Sequence, residues 1–166
     1  DQDIKSGRWV LLDTVVFSAG GTENVMLTRD NEDNGSTIID AVRFVQVSTS
    51  AISEIIVDNQ STTGFATTGA WSESGATDEY NSSSLWAGEL GATATFTPVL
   101  PESGTYEVYA WWSAANPSGG YYNRDDAAQY TINHNGGSTV VTKDQDLTPG
   151  QWVLLDTVEF DAGGTE

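Results

Sequence analysis

The sequence predicts an all-β protein, an antiparallel β-sandwich of the jelly-roll kind. Glycine occurs 17 times and cysteine not at all, in a chain rich in Ser, Thr, Asn and Asp. Such a composition is typical of turn-rich β proteins. Short runs of strand-forming residues alternate between apolar and polar positions, which is the pattern of half-buried strands. No stretch shows the 3.6-residue apolar period of an amphipathic helix.

The predicted strands follow one another with short turns between them. Residues 129–143, QYTINHNGGSTVVTK, predict a hairpin around Asn135-Gly136-Gly137, because these residues tolerate positive φ. The run GTYEVYAWW has Tyr106, Val108, Ala110 and Trp112 on one face and Tyr109 and Trp111 on the other. The remaining predicted strands are IIVDN at 55–59, ATATFTPVL at 92–100, WVLLDTVEF at 152–160, and NVMLTRD and TIIDAVRFV within 24–46.

Nearly the same segment occurs twice in the chain. Residues 1–23 and 144–166 match at 17 of 23 positions with a spacing of 143 residues, and both contain the run WVLLDTV. A long internal period of this kind indicates an array of repeats. We therefore predict one repeat period cut out of phase. Residues 1–46 are the C-terminal strands of one repeat, 47–54 a linker, and 55–166 the next repeat without its last strands.

Without those last strands the core of 55–166 would stay open. At about 1.5–3 kcal/mol per buried apolar side chain, the omission costs on the order of 10 kcal/mol, comparable with the stability of a whole domain. We predict that the two repeats are connected by Val25, Leu27, Ile38, Ile39, Val42, Phe44, Trp152, Leu154, Val158 and Phe160.

Three ways of completing the core are open. Each repeat of a covalent array can be followed by its own last strands. Residues 24–46 can instead dock into a neighbouring copy of the chain, which gives a head-to-tail polymer. The chain can also close on itself through 47–54, and one of the duplicated segments then has no place.

Several runs together resemble a known family. They are ATATFTPVLPESGTYEVYAWW at 92–112, the long run from Ala127 to Gly164, and STIIDAVRFV at 36–45, with IIVDNQSTTGF and WSES at the start of the unit. Their order is similar to that of the golvesin C-terminal, or xanthan-lyase carbohydrate-binding-like, domain. The resemblance implies a β-sandwich module of secreted bacterial enzymes and surface proteins, and it implies no catalysis.

The charge of the chain restricts its partners. Acidic residues number 24 against 6 basic ones, for a net charge of −18. Such a surface repels nucleic acid and anionic membranes, and no apolar run reaches the roughly 18 residues needed to span a bilayer. We expect no nucleic-acid partner, no membrane insertion and an extracellular location at a bacterial cell surface.

Catalysis is not expected. The single histidine, His134, falls in the predicted hairpin turn, which argues against a catalytic triad or a histidine metal site. The paired carboxylates Asp125 and Asp126, like those among Glu73, Asp78 and Glu79, are unavoidable in so acidic a chain, although glycoside hydrolysis needs only two carboxyl groups.

Two kinds of binding site are candidates. Aromatic rings outside the clear strands can stack on sugars, and these are Trp71, Tyr80, Trp86, Tyr121 and Tyr122. Asp30, Glu32 and Asn34 precede Gly35 with the spacing of oxygen ligands for calcium, although an acidic hairpin turn is the favoured interpretation of this run. Asp40 is either a ligand or a partner for Arg43. Calcium is the one cofactor that these residues allow.

Two functions fit these observations. The first is a non-catalytic structural repeat of a bacterial surface filament, stalk or adhesin, whose partners are copies of itself. The alternative is a carbohydrate-binding module of a secreted polysaccharide-degrading enzyme, whose partner is a polysaccharide.

Overall fold

The structure, a computed structural model, describes residues 14–18, 24–29, 37–46 and 54–162. Within these ranges the protein is an all-β sandwich without helices, as predicted, so no described helix could cross a membrane. The strands are β1 (Thr14–Ser18), β2 (Asn24–Thr28), β3 (Thr37–Ile39), β4 (Ala41–Gln46), β5 (Glu54–Asp58), β6 (Phe65–Thr68), β7 (Ser72–Glu73), β8 (Leu85–Ala87), β9 (Thr93–Phe96), β10 (Gly104–Trp111), β11 (Ala128–His134), β12 (Gly137–Lys143) and β13 (Trp152–Asp161).

Two main sheets form the layers of the sandwich. One has five strands in the order β12-β11-β2-β9-β6, all antiparallel. In the other, β4 pairs with β5, β10 pairs with β13, and β4 lies along β10. A small third sheet has the order β3-β8-β7. Several neighbouring strands, such as β2 and β9 or β10 and β13, come from distant parts of the chain, as they do in jelly rolls.

The core lies between the two main sheets. Leu27 and Ile132 from the five-stranded sheet, and Phe44 and Val108 from the facing sheet, are fully buried. The alternation along 104–112 is as predicted, because Tyr106, Val108, Ala110 and Trp112 belong to this core while Tyr109 belongs to a second cluster on the opposite face. That second cluster comprises Ala41, Tyr109, Trp152 and Leu154, with Val45, Ile56, Tyr80 and Trp111 packed against it.

A β-bulge divides β13 into two parts. Strict alternation along this strand would place Trp152 and Leu154 on the same face as Val158 and Phe160. The pairing between β10 and β13 instead shifts by one residue after Val108. An extra residue reverses the side to which the strand points its side chains. Val158 and Phe160 therefore pack in the main core, and Trp152 and Leu154 pack in the second cluster.

The strands within 24–46 lie in the same sandwich as 54–162. β2 is a central strand, since it pairs with β11 on one side and β9 on the other. β3 pairs with β8, with Ile38 opposite Trp86, and β4 pairs with β5. β5 begins at Glu54, the last residue of the predicted linker. Residues 24–46 thus supply three strands that complete the body formed by 54–162.

β1 and β13 are both partners of β10. Both pair with β10 in the antiparallel sense, and they pair with each other in parallel, so that the three strands form a closed ring. β1 and β13 come from the two copies of the repeated segment. Thr14 lies opposite Thr157 and Phe17 opposite Phe160, so the pairing between the copies keeps the spacing of 143 residues.

The hairpin of β11 and β12 turns where the sequence predicts it. Gly136 and Gly137 have φ values of +106° and +138°, which only glycine adopts readily. The ring of His134 lies 3.0 Å from the carbonyl oxygen of Asn135 and 3.2 Å from the hydroxyl of Thr139. The histidine therefore takes part in the hairpin's own hydrogen bonding.

Candidate functional site

A cleft with two aromatic residues opens at the surface. It has a volume of about 320 Å³ and is lined by Ser74, Gly75, Trp86, Tyr122, Asn123 and Arg124. We call it the aromatic cleft. Three separate segments build it: the two residues that follow β7, strand β8, and the connection between β10 and β11. The volume lies at the lower end of the range of about 300–1,000 Å³ that is common for small-ligand sites.

The position of Trp86 in β8 directs its side chain away from the core. In β8, Ala87 is buried and Leu85 packs against the main core, whereas Trp86 is 37% exposed. β8 lies between β3 and β7, so its backbone is fixed from both sides. A large apolar ring exposed on a fixed strand is available for contact with a ligand.

Arg124 forms a charged part of the cleft. Its side chain is mostly buried; Nε donates to the carbonyl oxygen of Ser113 at 3.0 Å, and Nη2 donates to the hydroxyl of Ser74 at 3.4 Å. The guanidinium lies 4.8 Å from the centre of the Tyr122 ring. Burial lowers the pKa of Arg124, and the carboxylate of Asp78 opposes this effect. The guanidinium of Arg124 is protonated at neutral pH in spite of this burial.

Backbone hydrogen bonds hold the connection that carries Tyr122 and Arg124. The N–H of Tyr122 donates to the carbonyl oxygen of Ala114 at 2.7 Å, and the N–H of Arg124 donates to Asp146 at 2.5 Å. Asp78 accepts from the N–H groups of Ala114 and Ala115 at 3.0 and 2.9 Å. The cleft is therefore built on fixed backbone, which lowers the entropic cost of binding.

The chemistry of the lining suits recognition of hydroxyl-rich molecules. The rings of Trp86 and Tyr122 offer apolar faces, and Asn123, Arg124 and Ser74 offer polar groups. None of the six lining residues is a carboxylate, and acid–base glycoside hydrolysis needs two carboxyl groups. Among the described residues no group of three or more metal-ligating side chains occurs.

Only some of the predicted sugar-contacting residues lie in the aromatic cleft. Trp86 and Tyr122 line it, and Tyr121 is 69% exposed next to it in the chain. The indole N–H of Trp71 lies 3.0 and 3.1 Å from the carbonyl oxygens of Thr68 and Thr93, and its ring packs against the main core. Tyr80 lies in the second cluster, with its ring centre 4.9 Å from that of Trp152.

Sequence reasoning missed Arg124, Asn123 and Ser74. Arg124 had one available signal, since it is one of only 6 basic residues in the chain and stands two positions after Tyr122. Ser74 is 50 positions away from Arg124. Nothing local indicates that these two side chains meet.

Of the residues predicted as possible calcium ligands, the structure describes only Asp40. Asp30, Glu32 and Asn34 lie outside the described residues. Asp40 is buried and accepts a hydrogen bond from the N–H of Tyr80, while Arg43 donates to Glu54 at 2.9 Å. Burial raises the pKa of Asp40 to about 9; the bond from Tyr80 opposes this, and the carboxylate of Asp58 adds to it.

Eight of the ten residues predicted to connect repeats lie in the interior. Val25, Leu27, Val42 and Phe44 are at most 1% exposed in the main core. Of Ile38 and Ile39, the structure describes the backbone, which pairs with β8.

A buried ion pair joins the same segment to the rest of the body. Arg29 Nη1 lies 3.2 Å from Asp125 Oδ2, and both side chains are at most 5% exposed. The hydroxyl of Thr37 also donates to Asp125. Residues 24–46 are therefore held by polar contacts as well as by strand pairing and apolar packing.

Comparisons with known proteins agree with this architecture. The golvesin C-terminal domain matches residues 55–166. A xanthan lyase from Bacillus sp. (strain GL1) is 40% identical over 113 residues, which cover 66% of this chain and 12% of that protein. The chain thus spans only a small part of the length of this relative. No solved structure is significantly similar to the chain.

Proposed function

Because the chain belongs to the golvesin C-terminal domain family, we propose that it is a non-catalytic, extracellular domain that binds polysaccharide in the aromatic cleft. The observation that carries this proposal is the meeting of Trp86, Tyr122 and Arg124 around one opening. The similarity to a protein named xanthan lyase supports an association with polysaccharide. The short share of that protein that the chain spans supports an accessory role rather than a catalytic one.

The lining supports a sugar in particular. Pyranose rings have apolar C–H faces and polar hydroxyl edges, so a binding site needs apolar ring surface next to hydrogen-bond donors and acceptors. Trp86 supplies exposed aromatic surface, and the side chains of Asn123 and Arg124 supply polar groups beside it. The support of Arg124 by Ser113 and Ser74 keeps its guanidinium in one position.

The test is a binding titration with cleft variants. The purified protein is titrated by calorimetry with xanthan and with a panel of neutral and acidic polysaccharides. We expect Trp86→Ala and Tyr122→Ala each to weaken binding at least about tenfold, which corresponds to about 1.4 kcal/mol. Tyr121→Ala is the matched control, because Tyr121 is exposed and is not part of the lining. Equal affinities for the wild type and both cleft variants would refute the assignment of this cleft.

A second candidate function is a structural repeat of a bacterial surface filament, stalk or adhesin. The near-identical segments 143 residues apart favour it, together with the completion of the body of 54–162 by residues 24–46. Its test is the mass of material from the natural source. A covalent array stays large under denaturing conditions, and a polymer of separate chains falls to the mass of a single chain. Natural material that is monomeric under native conditions and contains the repeat period only once would refute this candidate.

A further inference from the structure

Arg124 differs from the other arginines in the described ranges because it forms no ion pair. Arg29 is paired with Asp125. Arg43 is paired with Glu54. Arg124 is only 5% exposed, yet no carboxylate of the described residues lies within ion-pair distance of its guanidinium. A buried charge is costly unless it is paired, so a mostly buried arginine without an ion pair indicates an anionic partner from outside the chain.

Neutral groups hold the guanidinium of Arg124 in the wall of the cleft. Nε donates to the carbonyl oxygen of Ser113, and Nη2 donates to the hydroxyl of Ser74. The ring of Tyr122 lies beside the guanidinium. These three neighbours orient the positive charge without neutralising it. The described residues supply no acceptor for Nη1, which stays accessible in the cleft.

Two carboxylates act on Arg124 electrostatically, but both are bound to backbone groups. Asp78 accepts from two N–H groups, those of residues 114 and 115. Asp146 accepts from the backbone N–H of Arg124 itself. Neither aspartate belongs to the lining of the cleft, and none of the six lining residues is acidic. A ligand that enters the cleft therefore meets one positive charge and no carboxylate in its wall.

We propose that the aromatic cleft prefers acidic sugars and that Nη1 of Arg124 donates to a carboxylate of the polysaccharide. This inference rests on the proposed function and names the class of sugar: a uronate, or a sugar with a carboxylate substituent. Trp86 and Tyr122 contact the apolar face of the sugar ring, and Arg124 binds the charged group beside it. Hydrogen bonds between two ionised groups are stronger than those between neutral groups, and a planar guanidinium matches a planar carboxylate.

The net charge of the chain opposes such a preference, which makes the preference informative. At −18, the protein repels acidic polymers as a whole. This repulsion between exposed charges is screened over about 8 Å at physiological salt, whereas a contact with a mostly buried group is screened much less. A measured preference for acidic polysaccharide would therefore come from a local contact and not from the overall charge.

The test is calorimetry of the whole chain at physiological salt with matched polysaccharides. The probes are xanthan and polygalacturonate, each compared with the same preparation after its carboxyl groups have been reduced to hydroxymethyl groups. We expect the wild type to bind at least one acidic form at least about tenfold more tightly than its reduced form, because hydrogen bonds to charged groups are the stronger ones.

Two arginine variants locate the preference. Arg124→Gln should bring the ratio of the two affinities close to one and change the affinity for the reduced form by less than about twofold, because it removes the charged donor alone. Arg43→Gln is the matched control, since it removes the same charge outside the lining of the cleft and should keep the full ratio. Thermal scans establish that both variants are folded. If Arg124→Gln does not fold, the ratio for the wild type decides.

The remaining outcomes separate this inference from the proposed function. Equal binding of the acidic and reduced forms by the wild type, with binding lost in Trp86→Ala, overturns the preference for acidic sugars and leaves the proposed function in place. No binding of any form overturns both. An unchanged ratio in folded Arg124→Gln overturns the role of Arg124. Dextran sulfate is compared with dextran as well, and an equally large preference for the sulfated form overturns the assignment to a carboxylate.

Discussion

The ion pair of Arg29 and Asp125 joins residues 24–46 to the rest of the sandwich, and its removal should unfold the protein at a much lower denaturant concentration. Arg29 Nη1 lies 3.2 Å from Asp125 Oδ2, and the two side chains are 5% and 0% exposed. Asp125 also accepts from the N–H of Ala127 at 2.9 Å and from the hydroxyl of Thr37. Asp125→Ala therefore leaves a guanidinium in the interior without this carboxylate.

The magnitude follows from the burial of both partners. Removing one member of a buried ion pair costs about 3–5 kcal/mol, because the remaining charge loses this attraction while it stays out of water. For a domain of this size, 1 kcal/mol corresponds to about 2–4 °C in Tm, so Asp125→Ala should lower Tm by about 6–20 °C. The assay is urea unfolding followed by tryptophan fluorescence and circular dichroism, with a thermal scan alongside.

A second ion pair provides the matched control. Arg43 Nη1 lies 2.9 Å from Glu54 Oε1, but the side chain of Glu54 is 46% exposed. Because the side chain of Glu54 is exposed, water compensates for much of the pairing, which then contributes about 0–1 kcal/mol, so Glu54→Gln should leave the unfolding midpoint nearly unchanged. The double variant Arg29→Met with Asp125→Leu should regain part of the loss, since apolar residues of similar size often replace a buried pair at little cost, while the hydrogen bonds that Ala127 and Thr37 donate to Asp125 stay lost. A loss below about 1 kcal/mol for Asp125→Ala would refute the reasoning.

Two further predictions concern a buried carboxyl group and a glycine. Burial raises the pKa of Asp40 to about 9, so the free energy of unfolding decreases as the pH rises from the ordinary pKa of 3.8 to about 9. Asp40→Asn should therefore flatten this part of the curve of stability against pH, measured by urea unfolding. An unchanged slope would contradict this prediction. At Gly64, φ is +81° and an added Cβ would lie 2.3 Å from the carbonyl oxygen of Thr97, whereas at Gly91, with φ +79°, it would meet nothing within 4 Å. Gly64→Ala should therefore lower Tm clearly more than Gly91→Ala, which shares the backbone strain but not the clash, and equal shifts in a thermal scan would contradict the clash.

Local patterns in the sequence determined the strands and the turns. Alternation along 104–112 depends on neighbours in the chain, and the structure has the two faces that this alternation predicts. The turn at Gly136 and Gly137 likewise depends on which residues accept positive φ. The fold class follows from many such local signals acting in the same direction.

Local patterns did not predict the directions of the side chains along β13. Four apolar residues of this strand were predicted as one connecting set, but the bulge opposite Val108 and Tyr109 sends Trp152 and Leu154 to the second cluster. The bulge arises from the pairing with β10, which begins more than 40 positions earlier in the chain. A shift in register between two strands leaves no mark in the alternation of either one alone.

The sequence by itself determined that this is a β protein, that 24–46 carries strands which a core of this kind needs, and that Trp86 and Tyr122 are candidates for contact with sugar. Only the tertiary structure decided that these two rings share a cleft with Arg124, that Arg29 meets Asp125, and that both copies of the repeated strand face β10 in one register. The physical reason is how far apart along the chain the interacting residues lie. Periodicity and turn chemistry act between residues close in sequence, whereas a cleft, a buried ion pair and a strand register arise from pairing between segments that are far apart along the chain.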